Sequence, residues 1–389
     1  MNLNKNIIYV NGPINYFRLK KNDKDIYLFA DLHETKKDQT ECEDLESINI
    51  DKFLMLFFKN NKSAMVDFML EINKPEKENK IKNHINNYII NIRNVFNRIY
   101  INNPYYQYLR IHYIDVRNYE YFEQVQVNIQ KIITHFHNYE IYDFNFIIEN
   151  LINISYYLKK LIKYYEKYKN KIYEETKIKN NEEELLFKKT INKIINKYNN
   201  NENKTTINNF LKINYYDKIK YLLDFIEKNK DELYSYIEII KQKNKTDKFL
   251  VKNKNKKDSK KYLDKYNFYN TKEYNLMKYK IKKNINTIES NFDIIKLTIM
   301  DCYFLRRVTD KDYIKNVIVY TGLIHTIEYL YYLVKYFKFE IVNIDCKNFH
   351  NIAEINEIIQ KNNSVYEVIE ILLSTQSFSQ CISINNLFS

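Results

Sequence analysis

The sequence predicts an α/β protein whose mainly parallel sheet is flanked by helices and interrupted by a large all-helical insertion. Short apolar segments rich in Ile, Val and Phe alternate with longer segments of helical spacing in residues 1–142, and again in residues 291–371. Between these two parts, residues 143–290 carry apolar side chains at helical spacing and contain no convincing strand. Residues 372–389 have little pattern, and we expect a polar tail.

The predicted elements of the α/β parts follow one another in a regular order. Strands over 7–10, 16–19 and 26–31, separated by turns, form a small antiparallel start. The predicted helices cover 50–59, 81–100, 119–137, 294–307, 325–336 and 352–371. The strands that alternate with them cover 65–70, 109–114, 317–320 and 339–344. This alternation is typical of a sheet with parallel strands.

Amino-acid usage follows nucleotide composition to a large extent. The chain of 389 residues has 2 Gly and no Trp but 38 Tyr, as AT-rich codons would produce, while its 45% hydrophobic content excludes disorder of the whole chain. The net charge of +13 is therefore weak evidence for a polyanionic partner. Its basic excess lies within residues 151–290, whereas every arginine lies outside that range.

The Lys- and Tyr-rich insertion, with a predicted basic loop near 241–261, suggests a partner-binding surface. A protein partner is the first expectation. Nucleic acid is the alternative, because Lys supplies affinity for phosphates and Tyr stacks on bases. The lack of Arg in the insertion and of a recognisable nucleic-acid-binding motif argue against that alternative without excluding it.

The four cysteines, with no C-x-x-C pair, indicate neither a disulfide framework nor a closed zinc site, so a reducing compartment is expected. The N-terminal apolar run is shorter than a signal peptide requires. No segment approaches the roughly 18 apolar residues of a membrane span. The sequence thus predicts a soluble intracellular protein.

Polar side chains follow four of the predicted strands. Since the carboxyl ends of parallel strands meet at one edge of a sheet, these side chains are candidates for a common site. They are His33, Glu34, Glu71, Asp115, Arg117 and His325.

Gly322, one of two glycines in the chain, stands between a predicted strand and a predicted helix and three residues before His325. The missing Cβ permits either a positive φ or a close approach of the backbone to a ligand. Residues 30–33 repeat the spacing after an earlier strand, with Ala30 in place of glycine. We therefore expect the two turns to form halves of one site.

These motifs resemble those of the erythromycin esterase/ChaN-like superfamily, which includes the TraB/PrgY and Tiki proteins. The resemblance covers residues 26–117 and 294–345. It consists of Leu-Phe-Ala-Asp-Leu-His-Glu ending at Glu34, a strand ending in Glu71, and Thr-Gly-Leu-Ile-His ending at His325. Asp301 and Arg306 resemble the acidic-and-arginine segment that those proteins carry before the last motif.

The resemblance implies a fold and a site rather than one reaction, because the superfamily includes esterases, metal-dependent peptidases and haem-binding proteins. The residues allow a hydrolytic scheme in which His33 or His325, with Glu34 nearby in the sequence, takes a proton from water. Glu71 orients the imidazole or binds a metal, and Arg306 or Arg117 stabilises negative charge. The implied substrate contacts are Arg117, Asp115, Gly322 and Asp301. In a metal-dependent member, His33, His325 and Glu71 would bind Mn or Zn.

Two functions stay open on the sequence. One is a hydrolase of ester or peptide bonds with an unknown substrate. The other is a non-catalytic protein that binds a protein or polyanion through the inserted helices. The composition also resembles that of proteins of large AT-rich DNA viruses, which would place the protein in the host cytoplasm or the virion.

Overall fold

The computed structural model describes residues 7–33, 42, 46–61, 63–72, 88–99, 106–117, 119–139, 141–169, 182–252, 271–346, 349, 351–374 and 380–385. These residues form two compact units. The first unit contains residues 1–116, 197–207 and 300–389, and the second contains 117–196 and 208–299. The sequence had set the limits of the helical insertion at 143 and 290, so the second unit begins earlier and ends later than that segment.

Among the described residues, the first third of the chain forms six strands and two helices. They are β1 Ile7–Asn11, β2 Asn15–Lys21, β3 Lys24–Asp31, β4 Ile48–Asn49, α1 Ile50–Asn60, β5 Val66–Leu70, α2 Tyr88–Ile99 and β6 Leu109–Tyr113.

In the middle of the chain, the regular elements of the described residues are all helices, joined by short loops. Its elements are α3 Glu120–Asn138, α4 Phe144–Lys169, α5 Glu182–Asn196, α6 Asn201–Leu211, a π-helical segment Lys212–Asp217, α7 Lys218–Lys252 and α8 Lys272–Asp310. The predicted basic loop is helical in its first part, because α7 continues to Lys252. Residues 253–261 of that loop lie outside the described residues.

The last part returns to alternating strands and helices: β7 Asn316–Gly322, α9 Leu323–Lys335, β8 Glu340–Cys346, α10 Ile352–Lys361, α11 Val365–Ser374 and β9 Cys381–Asn385. Where the sequence predicted one helix over 352–371, two short helices form. Among the described residues, no helix combines the length and the apolar composition that crossing a bilayer requires.

The main sheet has six strands in the order β6-β5-β7-β3-β2-β8. The neighbours β6, β5, β7 and β3 run parallel, whereas β2 pairs antiparallel with both β3 and β8. The α/β class with parallel strands is confirmed, and the sheet is mixed rather than mainly parallel. Strand β7, which comes late in the chain, lies between β3 and β5, and this insertion positions the site described below.

Both faces of the main sheet are covered by helices. Side chains alternate between the faces of a strand, and Phe29 of β3 and Phe68 of β5 belong to one apolar cluster with residues of α1 and α2. On the opposite face, the hydroxyl of Thr321 in β7 lies 3.0 Å from that of Thr326 in α9. The sheet is therefore buried on both sides, as its continuous apolar strands require.

The predicted antiparallel start is correct for β2 and β3 but wrong for β1. Strand β1 joins a second sheet of order β4-β1-β9, in which it pairs parallel with β4 and antiparallel with β9. Gly12 follows β1 with a φ of 123°, in the left-handed region that favours glycine, and turns the chain out of this sheet. The chain therefore changes sheets between β1 and β2.

The predicted polar tail contains strand β9, and a disulfide between Cys42 and Cys381 joins the start of β9 to the segment before β4. The sequence-based expectation that the cysteines form no disulfide is thus wrong, and the cysteine argument for a reducing compartment is lost. The pair could not be predicted from the sequence, because the two cysteines are 339 residues apart and only the pairing of β1 with β9 brings their segments together.

Candidate functional site

The site lies at the carboxyl ends of three neighbouring parallel strands. In the register of the sheet, Asp31 at the end of β3 pairs with Gly322 at the end of β7, and Leu70 of β5 pairs with Tyr320 of β7. His33 and Glu71 follow β3 and β5 directly. The sheet therefore brings His33, Gly322 and Glu71 to one edge, from segments that are up to 289 positions apart in the sequence.

Glu71 is the centre of this site, because its carboxylate contacts both histidines. Oε2 lies 3.5 Å from His33 Nε2, and Oε1 lies 3.3 Å from His325 Nε2. The backbone N–H of Gly322 donates to Oε2 at 2.7 Å. A carboxylate with this charge-assisted hydrogen bond has a defined orientation between the two imidazoles.

Each imidazole has a second carboxylate on its other ring nitrogen. His33 Nδ1 lies 3.0 Å from Asp31 Oδ2, and His325 Nδ1 lies 2.6 Å from Asp301 Oδ1. Since an ionised carboxylate only accepts, both Nδ1 atoms carry a proton. We call this alternating series Asp31, His33, Glu71, His325 and Asp301 the carboxylate–imidazole chain.

The two ends of the carboxylate–imidazole chain differ in access to solvent. The side chain of His33 is 36% exposed, whereas those of Glu71 and His325 are 8% and 4% exposed. His33 also has a φ of 59°, an uncommon conformation for a residue with a Cβ, and such strain concentrates at functional sites. A molecule that reaches the site from solvent therefore meets His33 first.

Carboxylates on both sides of each imidazole favour its charged form. Burial lowers the pKa of His33, but hydrogen bonds and charges from Asp31 and Glu71 outweigh burial and raise it to about 10. Burial likewise lowers the pKa of His325, and the charges of Asp301 and Glu71 raise it to about 9. Both imidazoles are therefore cationic near neutral pH.

Gly322 is needed for close approach and not for an unusual backbone angle. Its φ is −59°, which any residue adopts, so the positive φ that the sequence allowed does not occur. A Cβ at this position would lie 2.9 Å from His33 Nε2 and 3.3 Å from Glu71 Oε2. Only glycine leaves room for these two side chains against the backbone.

Behind His325, away from Glu71, lies a buried polar group that the sequence analysis missed. Glu328 and Tyr329 follow His325 at three and four positions in α9, which places all three on one face of the helix. Burial and the charge of Asp301 raise the pKa of Glu328 well above its usual range. The spacing His-x-x-Glu was the available signal, since it predicts a shared helix face.

The remaining predicted side chains do not join the carboxylate–imidazole chain where the structure describes them. Glu34 lies outside the described residues. Asp115 follows β6, an edge strand, and Arg117 belongs to the second compact unit. The Nε of Arg306 donates to the backbone oxygen of Lys197 at 2.8 Å, so this guanidinium is engaged elsewhere.

Arg307, the neighbour of Arg306, is the arginine that faces the sheet. Its Nη2 lies 3.0 Å from Nδ1 of His112 in β6, and His112 Nε2 lies 2.6 Å from Asp67 in β5. Adjacent positions on a helix point in different directions. The sequence could not decide which of the two arginines turns toward the strands.

Two sets of side chains offer the nitrogen and oxygen atoms that Mn or Zn prefers. The sequence-predicted set is His33, His325 and Glu71, whose contacts are given above. A second set, Asp301, His325 and Glu328, has all three of its ligand atoms within 4.8 Å of one another and is fully buried. His325 belongs to both sets, with Nε2 toward Glu71 and Nδ1 toward Asp301.

Fold and site together define a class of protein: a mixed α/β protein with a buried carboxylate–imidazole chain at the carboxyl ends of its parallel strands. The chain belongs to the family of unknown function DUF5847, which matches residues 8–389.

Relatives of similar length occur in Acanthamoeba polyphaga mimivirus. Uncharacterized protein R706 is 28% identical over 99% of this chain and 97% of the relative. Uncharacterized protein R161 is 27% identical over 99% of this chain and 98% of the relative. These relatives are viral, in agreement with the expectation from composition. No solved structure matches the chain.

Proposed function

We propose that this protein is a hydrolase of ester or peptide bonds, of the erythromycin esterase/ChaN-like type, that uses the carboxylate–imidazole chain as its reaction centre. One observation carries the proposal: a single carboxylate, Glu71, contacts the Nε2 atoms of two histidines, and each histidine has its own aspartate. Paired titratable groups with shifted pKa values at strand ends are typical of acid–base sites.

In the proposed reaction, Glu71 accepts a proton from the attacking water. The imidazolium of His33, which Asp31 and Glu71 favour, stabilises the negative charge on the carbonyl oxygen and donates its Nε2 proton to the leaving group. The proton on Glu71 then returns to His33 Nε2 across their 3.5 Å contact. The roles differ from those expected from sequence, where a histidine took the proton from water and Arg306 stabilised charge.

The second histidine, His325, holds the Glu71 carboxylate in place from the buried side of the site. His325 lies 3.3 Å from Glu71 Oε1, and Asp301 fixes the ring orientation of His325 through Nδ1. An oriented carboxylate keeps one geometry through the reaction, which lowers the reorganisation that the reaction requires.

The test compares purified wild-type protein with His33→Ala on chromogenic ester and peptide substrates, each with and without Mn²⁺. His137→Ala is the matched control, because His137 is exposed on α3 in the second unit. We expect His33→Ala to lower the rate about 10²- to 10⁴-fold and His137→Ala to leave it unchanged. Equal rates for the wild type and His33→Ala would rule out this reaction centre.

The alternative, a protein that binds a partner through the inserted helices, stays a prediction. The observation that favours partner binding is a groove of about 830 Å³ along α3 and the start of α4, mostly just before the predicted insertion, whose lining includes the exposed side chains of Tyr139 and Ile141. A protein partner with an apolar segment suits this groove better than a nucleic acid does. Salt-sensitive nucleic-acid binding that is lost on deletion of residues 241–261 would instead favour the polyanion version.

A further inference from the structure

The buried polar group behind His325 contains two carboxylates. Asp301 is 0% and Glu328 3% exposed, and Tyr329, the residue after Glu328, is also fully buried. Asp301 Oδ2, Glu328 Oε2 and the Tyr329 hydroxyl have no hydrogen-bond partner of ordinary geometry among the described residues. Burial and the charge of Asp301 raise the pKa of Glu328, so in the absence of a cation Glu328 keeps its proton beside Asp301.

Such a group requires compensation. Moving a carboxylate out of water costs several kcal/mol even after relaxation, unless a proton, a cationic side chain or a metal ion neutralises it. The histidine in this group already divides its ring between Asp301 on one side and Glu71 on the other. That leaves Glu328 without a cationic side chain of its own among the described residues.

The geometry of the group fits a metal ion. One ligand atom from each of Asp301, His325 and Glu328 lies within 4.8 Å of the others, and atoms that share a first-row ion are at most about 4.4 Å apart, so small side-chain adjustments would complete the site. The residues come from two rigid elements, with Asp301 on α8 and the other two on the same face of α9. Helices position ligands more exactly than loops do.

We propose that Asp301, His325 and Glu328 bind one divalent first-row cation, Mn²⁺ or Zn²⁺, beside the hydroxyl of Tyr329. Two carboxylates with one imidazole form the mixed oxygen and nitrogen set that these two ions accept. On binding, His325 releases its Nδ1 proton to solvent, contacts the ion through Nδ1 and keeps its Nε2 proton, which it donates to Glu71. Metal-ligating histidines commonly donate their second N–H to a carboxylate in this way.

This site differs from the one that the sequence predicted around His33. In the predicted set, both Glu71 oxygens already contact an imidazole, and Oε2 also accepts from the Gly322 N–H. The carboxylate oxygens of Asp301 and Glu328 that have no partner lie in the buried set. The inference does not depend on the proposed hydrolysis, since a buried ion can stabilise the fold in a protein of any activity.

The experiment measures metal binding directly. Full-length protein is freed of metal by chelation and equilibrated by dialysis against Mn²⁺ or Zn²⁺, and bound metal is determined by mass spectrometry. The variants are Asp301→Asn and Glu328→Gln, which keep side-chain size and remove charge. Glu354→Gln, on the exposed first turn of α10, is the matched control.

We expect about one ion per chain for the wild type, Glu354→Gln and His33→Ala, and at least a 10-fold weaker affinity for Asp301→Asn and Glu328→Gln. Thermal melting provides a second readout that also reports folding. Metal should raise the melting temperature of the wild type and leave that of Glu328→Gln unchanged.

A wild type that binds less than about 0.1 ion per chain, or variants that bind as the wild type does, would overturn the inference. Loss of binding in His33→Ala would move the ion to the sequence-predicted set and overturn it as well. The proposed hydrolysis can fail independently of the metal site. A protein that binds metal but has no activity would contradict only the hydrolase proposal. A protein that is active but binds no metal would contradict only the metal site.

Discussion

Strand β5 and the residue that follows it carry two carboxylates, Asp67 and Glu71, which differ in the type of side chain that contacts them. Asp67 accepts two hydrogen bonds from Arg110, at 2.8 and 2.7 Å, and one contact at 2.6 Å from His112. Glu71 contacts two histidines and a backbone N–H. Both side chains are buried, but the named partners of Asp67 come from β6 alone, whereas those of Glu71 come from three separate segments.

The partners decide what each carboxylate can do. Arginine stays protonated at any physiological pH, and its fork matches a carboxylate in two bonds. Arg307 only donates, so its contact with His112 Nδ1 leaves the His112 proton on Nε2, directed at Asp67. Asp67 is therefore a neutralised structural anchor, whereas the imidazoles around Glu71 can gain and lose protons.

The largest expected effect separates the two carboxylates by activity. Glu71→Gln keeps the shape of the side chain but removes the group that accepts a proton, so we expect a rate about 10²- to 10⁴-fold below wild type. Asp67→Asn should keep a rate near that of the wild type at temperatures where it is folded. Steady-state kinetics on the best substrate measure both rates. Equal losses of rate in the two variants would contradict a catalytic role for Glu71 alone.

The second effect separates them by stability. Asp67→Asn leaves Arg110 and His112 without their anionic partner, and we expect the free energy of unfolding to fall by about 3 kcal/mol. Urea denaturation measures the change. The control is Asp23→Asn, since Asp23 forms an exposed ion pair with Lys315 and its loss should leave the midpoint unchanged. A stable Asp67→Asn protein would contradict the anchor role.

The two glycines test whether the site depends on close packing. Gly322→Ala places a methyl group 2.9 Å from His33 Nε2, and we expect a rate about 10²-fold lower through displacement of that ring. Gly12→Ala strains the turn after β1, where a Cβ would meet Ile50 at 2.8 Å. It should lower stability and leave the rate per folded molecule unchanged, as activity assays combined with thermal melting would reveal. Similar rate losses in both variants would indicate a general packing effect.

The smallest effect is a pH dependence of the Asp67 contribution. Burial alone would raise the pKa of Asp67, but the hydrogen bonds of His112 and Arg110 outweigh it and lower the pKa. A lowered folded pKa contributes stability above the unfolded value near about 4, and that stability is lost as pH falls through the folded value. The stability difference between the wild type and Asp67→Asn should therefore be constant above about pH 5 and shrink below about pH 4 in urea titrations. A stability difference between the two proteins that grows as the pH falls would contradict a lowered pKa of Asp67.

Local pattern was sufficient for much of the fold. The strands near Phe68, Ile111 and Val319 and the helices α1, α3 and α9 lie within a few residues of their predicted bounds, because apolar periodicity reports directly which face is buried. Helix α8 instead begins at Lys272, well before the predicted start at 294. His33, Glu71 and His325 could be selected from the sequence because each follows a strand directly.

Contacts between distant segments could not be predicted in this way. Glu328 was missed although its spacing from His325 places both on one helix face, because the carboxylate that it faces, Asp301, comes from another helix. The choice between Arg306 and Arg307 depended on the rotation of α8 about its axis. The disulfide between Cys42 and Cys381 depends on the second sheet, which no single segment of the sequence predicts.

The sequence by itself determined the types of the elements and the polar residues at the ends of the strands, because backbone propensity and side-chain periodicity are local properties. The tertiary structure alone decided that β7 lies between β3 and β5, and strand order depends on long-range pairing that leaves no local periodicity. That one placement brings Gly322 against His33 and Glu71. It turns three ordinary strand ends into one carboxylate–imidazole chain.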